Sequence, residues 1–138
     1  SQIKNNKAPM IFEDGKQSRD FTSVHDITQA NLISMKSSAD YEVFNVGTGR
    51  QLTINDVAQA FLELYKKNLT PKIVHQFRKG DIRHCYADIS KIRSKLGFDP
   101  KIKFEDGMKE LAEWSKTVES EDKVAAATEE LREKGLVK

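Results

Sequence analysis

Residues 53–65 constrain the fold most. Thr53 is followed three positions later by Asp56, a capping-box spacing with Asp in place of the usual Glu, and Ile54, Val57, Ala58, Phe61 and Tyr65 fall at i, i+3, i+4, i+7 and i+11. This pattern predicts a helix with a defined start and one apolar stripe. Such a helix needs a second apolar layer to cover that stripe.

The rest of the chain offers short pieces for that layer. Pro9 to Phe12 reads as extended and closes in the turn signal Glu13-Asp14-Gly15. Arg19 to Val24 alternates as a short strand would, and Asp26 is placed to cap a helix running to Lys36, with Ile27, Ala30, Ile33 and Met35 as its apolar face. Glu42 to Val46 is β-branched and aromatic and runs into Gly47-Thr48-Gly49, which predicts a buried strand leaving through a tight turn. Pro71 is a breaker, Lys72 to Phe77 is a strand candidate, and Arg78 to Asp81 is a polar loop. Asp88 is expected to cap a short helix carrying Ile89, Ile92 and Leu96, with Gly97 as a left-handed C-cap. Phe104, Met108, Leu111 and Ala112 mark another helix, and Asp122 to Lys134 a last one ended by Gly135.

Composition bounds the function classes. The 138 residues, 38% hydrophobic and 32% charged, suit one domain over 1–138, with a helical tail at about 121–135. No stretch approaches the roughly 18 apolar residues of a membrane span, and the start lacks a signal-like apolar run, so a soluble cytoplasmic protein with no membrane partner is expected. The single Cys85 has no companions at metal-ligand spacing and is expected to pack as a small apolar residue.

Net charge is only +2, yet it is unevenly spread. Between Lys66 and Arg83 six basic residues face one acid, whereas Glu105 to Glu133 carries ten acids against four bases. The basic stretch is a candidate anion site. It lacks the interleaved aromatics of a nucleic-acid reader, so no nucleic-acid partner is expected.

Several motifs are absent. From Gly47 the Rossmann spacing reaches Gly49 and then Leu52 where a third glycine is needed, and Gly15-Lys16-Gln17 lacks the glycine and hydroxyl of a phosphate loop. No nucleophile elbow is present, and His25, His75 and His84 are scattered. What remains is two arginine-bearing segments, Asp14-Gly15-Lys16-Gln17-Ser18-Arg19-Asp20-Phe21 and Arg78-Lys79-Gly80-Asp81-Ile82-Arg83. Two guanidinium forks suit the oxygens of a diphosphate, Asp81 a ribose or sugar hydroxyl, and Phe21 an apolar ring face. The competing reading makes Arg19 with Asp20, and Arg78 with Asp81, local ion pairs that steady turns.

PMIFEDGKQSRDFTSVHDITQA, FNVGTG, FRKGDIRHCYAD, LGFDP and KFEDGMKEL, taken in order, resemble the C-terminal half of NAD-dependent nucleotide-sugar epimerases and dehydratases of the extended short-chain dehydrogenase family. The resemblance implies an α/β class, as a helix-rich α+β-like substrate-binding portion without the complete Rossmann sheet. It assigns substrate binding to Arg19, Phe21, Arg78 and Asp81, and makes Gly47 and Gly49 backbone-shape residues.

The family's N-terminal half supplies the NAD loop and a catalytic tyrosine with lysine four residues on. Here Tyr41, Tyr65 and Tyr86 are followed at that offset by Asn45, Leu69 and Ser90. The expectation is therefore no catalytic residue and no cofactor on this chain, NAD in the full-length enzyme, and no turnover by the chain alone. The tail from Trp114 to Val137 resembles extensions of a 4-epimerase branch that includes deoxythymidine diphosphate rhamnose types. A 4-epimerase is expected, with a 4,6-dehydratase fragment or a non-catalytic nucleotide-sugar-binding module as alternatives. The expected partners are a nucleotide diphosphate sugar, the missing N-terminal Rossmann half and, through uncovered apolar surface, a second copy in a homodimer.

Overall fold

The computed structural model describes residues 1–137. Two short sheets and five helices make up the described chain. Strands β1 (Met10–Ile11), β2 (Ser18–Arg19) and helix α1 (Val24–Lys36) come first, followed by β3 (Leu52–Thr53) and α2 (Ile54–Leu64). Then follow β4 (Lys72–Ile73), β5 (His84–Cys85), α3 (Ser90–Leu96), α4 (Phe104–Lys116) and α5 (Val124–Glu133). β1 pairs in parallel with β4, while β2 lies between antiparallel β3 and parallel β5. This mixed α/β arrangement lacks a complete Rossmann sheet among the described residues.

The capping box forms as the spacing predicts. Thr53 Oγ1 accepts the Asp56 amide at 3.1 Å, and Asp56 Oδ2 accepts the Thr53 amide at 2.8 Å. The apolar stripe of α2 then packs on α4, burying Ala58 and Leu62 on one helix and Met108 and Ala112 on the other. Tyr65 and Ser115 join their hydroxyls at the end of this contact, and Arg50 meets Glu105 at 2.9 Å near its start.

A second core gathers Ala30 from α1, Ile92 from α3, and Ile89 and Phe98 beside α3, with Ile33, Phe44, Val46, Ala87 and Leu96 packed around them. Gly97 ends α3 at φ 66°, the left-handed cap the sequence predicts, and turns the chain so that Phe98 enters this core.

Four local expectations need correction. Ser23, whose hydroxyl accepts the His25 amide at 3.2 Å, caps α1 in place of Asp26. Asp26 is buried instead, accepting the Lys101 and Ile102 amides at 2.9 and 3.1 Å, and so ties the α3–α4 connection to α1. The strand expected from Arg19 to Val24 is only Ser18–Arg19, because the Ser23 cap starts the helix at Val24; the Lys72–Phe77 strand likewise shrinks to Lys72–Ile73. Residues 42–46 have no ladder partner among the described residues and are only half covered, with Phe44 and Val46 turned to the core while Val43 is 82% exposed.

Candidate functional site

The two arginine-bearing segments run side by side. Ser18 lies opposite His84 and Arg19 opposite Cys85 in the β2–β5 ladder, and the Ser18 amide donates to the Arg83 carbonyl at 2.9 Å. Upstream, the Glu13 amide donates to the Gln76 carbonyl at 2.7 Å, so residues 13–19 run beside residues 76–85. Downstream, Asp20 closes the junction: its carboxylate accepts the Thr48 amide at 3.0 Å, the Thr48 hydroxyl at 2.6 Å, and the Gly49 and Ala87 amides at 2.9 and 3.3 Å.

These bonds explain Gly47. A Cβ there would stand 2.5 Å from both Ala87 Cβ and Asp20 Oδ2, so the turn reaches Asp20 only without a side chain. Burial opposes the charge on Asp20, but the Thr48 hydroxyl and the converging amides hold its carboxyl below the usual range. Asp20 thus serves the backbone, and the Arg19–Asp20 ion pair of the competing reading does not form among the described contacts.

The three arginines of these segments differ in their partners. Arg83 forks onto Asp14, with Nη1 to Oδ1 at 2.7 Å and Nη2 to Oδ2 at 2.8 Å, and also pairs with Glu13. The Arg83 hydrogen bonds hold the Asp14 carboxyl far below its ordinary value, and the Asp14 and Glu13 bonds hold Arg83 charged. Arg78 gives Nε at 2.8 Å and Nη2 at 2.7 Å to Asp81 Oδ2, with its guanidinium 5.2 Å from the centre of the Phe12 ring. That turn is also tied to the tail, where Arg78 bridges Val137 and the Lys79 amide donates to the Leu136 carbonyl at 2.7 Å.

Arg19 has no carboxylate partner among the described residues. Its half-buried side chain gives Nη1 to the Ser18 carbonyl at 2.7 Å and reaches the Arg83 carbonyl at 3.4 Å. A guanidinium held only by neutral carbonyls keeps its charge uncompensated, which suits an incoming anion.

Phe21 stands apart from the arginines. It packs against Phe104 with ring centres 5.7 Å apart and lines a groove of about 550 Å³ between the start of α1 and α4, together with Met108 and Trp114. Arg19, Arg78 and Asp81 do not line this groove. At its rim His25 Nε2 meets Glu110 Oε1 at 3.0 Å, and that bond raises the His25 pKa. Cys85, expected to pack inside, is exposed on β5, where both residues of the strand face away from the core. Asp20 and Arg83 are the residues that sequence reasoning undervalued: only their place inside the two motifs signalled them.

The family model described as GDP-mannose 4,6 dehydratase matches residues 1–111. A UDP-glucuronate 4-epimerase of Thermodesulfobacterium geofontis is 36% identical over 115 residues, which are 83% of this chain and 35% of that protein. The structure of the Thermotoga maritima UDP-glucose 4-epimerase with UDP-glucose superposes with a TM-score of 0.76 at 38% identity, over 83% of this chain and 37% of the other. That of the Bacillus cereus UDP-glucuronic acid 4-epimerase with NAD gives 0.72 at 26% identity, over 84% and 36%. The chain therefore spans little more than a third of the length of these relatives. With its two motif segments running side by side and most of its length matched, the chain belongs to the NAD-dependent nucleotide-sugar epimerase and dehydratase family, of the extended short-chain dehydrogenase type.

Proposed function

We propose that this chain is the substrate-binding part of an NAD-dependent nucleotide-sugar 4-epimerase acting on a UDP- or dTDP-sugar. The carrying observation is Arg19, a half-buried guanidinium on the central strand of its sheet with no carboxylate partner among the described residues. Arg19 takes one phosphate of the diphosphate through charge-assisted hydrogen bonds. Arg78 contributes a second fork and exchanges part of its bond to Asp81 for phosphate oxygen. Both of its bonds land on Asp81 Oδ2, leaving Oδ1 to accept a ribose hydroxyl. Phe21, in the separate groove, acts on the sugar side or steadies α4.

The glycine turn of this chain does not fit a dinucleotide phosphate. The Thr48 and Gly49 amides, which would face an anion in a phosphate loop, already donate to the Asp20 carboxylate, and that charge repels phosphate. NAD, which accepts hydride from the sugar in such enzymes, then binds elsewhere in the full-length enzyme. None of Tyr41, Tyr65 and Tyr86 has a lysine four residues on, so the chain alone is expected to bind without turnover.

The dehydratase reading keeps one support, the family model's own description. Calorimetric titration with uridine and thymidine diphosphates tests the binding role, with Arg19→Ala and Arg78→Ala as controls. Binding lost in both variants is the expected result. Failure of the folded chain to bind either nucleotide, even after the missing N-terminal half is added in trans, sinks the proposal. With that half present, recovery of a 4-epimer or of a 4-keto-6-deoxy sugar separates the two reactions.

A further inference from the structure

Ser18 is 0% exposed, although it sits in the middle strand of a very short sheet. Its hydroxyl oxygen accepts a hydrogen bond from Gln51 Nε2 at 2.6 Å and lies 2.7 Å from His84 Nδ1. Gln51 Nε2 also lies 3.3 Å from His84 Nδ1. The Gln51 amide nitrogen can only donate, which favours an Nδ1 that carries the lone pair.

The residue after Ser18 is Arg19, and its guanidinium rests on two carbonyls. One belongs to Ser18 itself, at 2.7 Å, and the other to Arg83, the neighbour of His84, at 3.4 Å. The separation of those carbonyls is set by how strand β2 lies against strand β5. The Ser18 side chain reaches across both edges of that middle strand, to Gln51 beside β3 and to His84 on β5.

We propose that Ser18, Gln51 and His84 form a positioning triad that fixes the Arg19 guanidinium for the diphosphate, with His84 accepting at Nδ1. This rests on the reading of Arg19 as the anion-binding residue. A merely structural trio would set stability alone; a positioning trio also sets the order of the Arg19 fork and the affinity it provides.

The test measures both on the 138-residue chain. Nitrogen-15 spectra of the imidazole report the tautomer, and the Arg19 Nη signals report whether the fork is held. Uridine diphosphate affinity is measured in parallel, on variants checked for folding by circular dichroism. His84→Phe and Ser18→Ala are expected to average the Arg19 signals and weaken uridine diphosphate binding about tenfold, the loss of roughly one good hydrogen bond. His84→Asn, whose Oδ1 replaces the Nδ1 acceptor, is expected to stay within about threefold. A His84 protonated at Nδ1, or Arg19 signals unchanged in Ser18→Ala, overturns the proposal. If the wild-type chain fails to bind uridine diphosphate even with the N-terminal half added in trans, the nucleotide reading falls, while the imidazole and Arg19 signals still decide whether the triad positions the fork. Should His84→Phe not fold, Ser18→Ala and Gln51→Leu carry the same comparison.

Discussion

Asp20 and Gly47 depend on each other, because the carboxylate can accept the Thr48, Gly49 and Ala87 amides only if nothing projects from residue 47. Gly47→Ala forces a methyl against Ala87 Cβ and Asp20 Oδ2, both at 2.5 Å. The expected cost is about 1–3 kcal/mol of overpacking, read as a lower urea midpoint with unchanged slope. The depressed pKa of Asp20 adds a pH dependence. A carboxylate whose folded pKa lies below its unfolded value stabilises above that unfolded value, near pH 4, and the contribution disappears as pH falls through the folded pKa. Asp20→Asn should flatten this acid limb of the stability curve; an identical limb in the variant would assign it to other carboxylates. Gly47 was legible in the sequence as a residue of backbone shape. The partner that demands it was not, since Asp20 lies far back along the chain and reads locally as the mate of Arg19.

At the scale of elements, helices were more legible than strands, and for a physical reason. The box at Thr53 and Asp56 and the stripe from Ile54 to Tyr65 are local in sequence, and α2 follows them closely. A strand needs a partner that periodicity cannot supply: Glu42 to Val46 has strand composition, yet the structure gives it no ladder among the described residues. The arginine segments were legible as two motifs but not as neighbours, because their pairing depends on the Ser18–His84 register. The α1–α4 link could not be read at all, since His25 and Glu110 join across 85 positions. It predicts a pH effect of opposite sign to that of Asp20. The His25 pKa is raised by Glu110, so the link contributes below the unfolded histidine value, about 6.5, and is lost as pH rises through the higher folded value. Trp114 lines the same groove and is the chain's single tryptophan. Its fluorescence should titrate with a midpoint above 6.5 in the wild type, and Glu110→Gln should bring the midpoint down toward that reference. A titration untouched by the substitution would show that the link does not control the groove.

For the whole molecule, the decisive quantity is apolar surface left uncovered. No helix among the described residues is long and apolar enough to cross a membrane, so a lipid bilayer is no home for that surface as a spanning helix. Val24, Leu32 and Met35 on α1 are exposed, as are Tyr41 and, on the unpaired 42–46 segment, Val43, with Met35 at 81%. Exposed apolar side chains on a helix and on a segment without a ladder partner favour association with another chain. The chain covers 35% and 37% of two of these relatives, and we propose that the segment they carry beyond it, a Rossmann domain by the family resemblance, covers this face. In its absence we expect two copies to cover each other, giving a dimer mass in light scattering at high protein concentration. Met35→Glu together with Val43→Lys should return the monomer, because each puts a charge on the face to be buried. Adding the missing half in trans should do the same by competition, while leaving Arg19 to bind nucleotide. A wild-type chain that stays a monodisperse monomer at high concentration removes the argument for self-association. A dimer that resists both the charges and the added half places the contact on another surface.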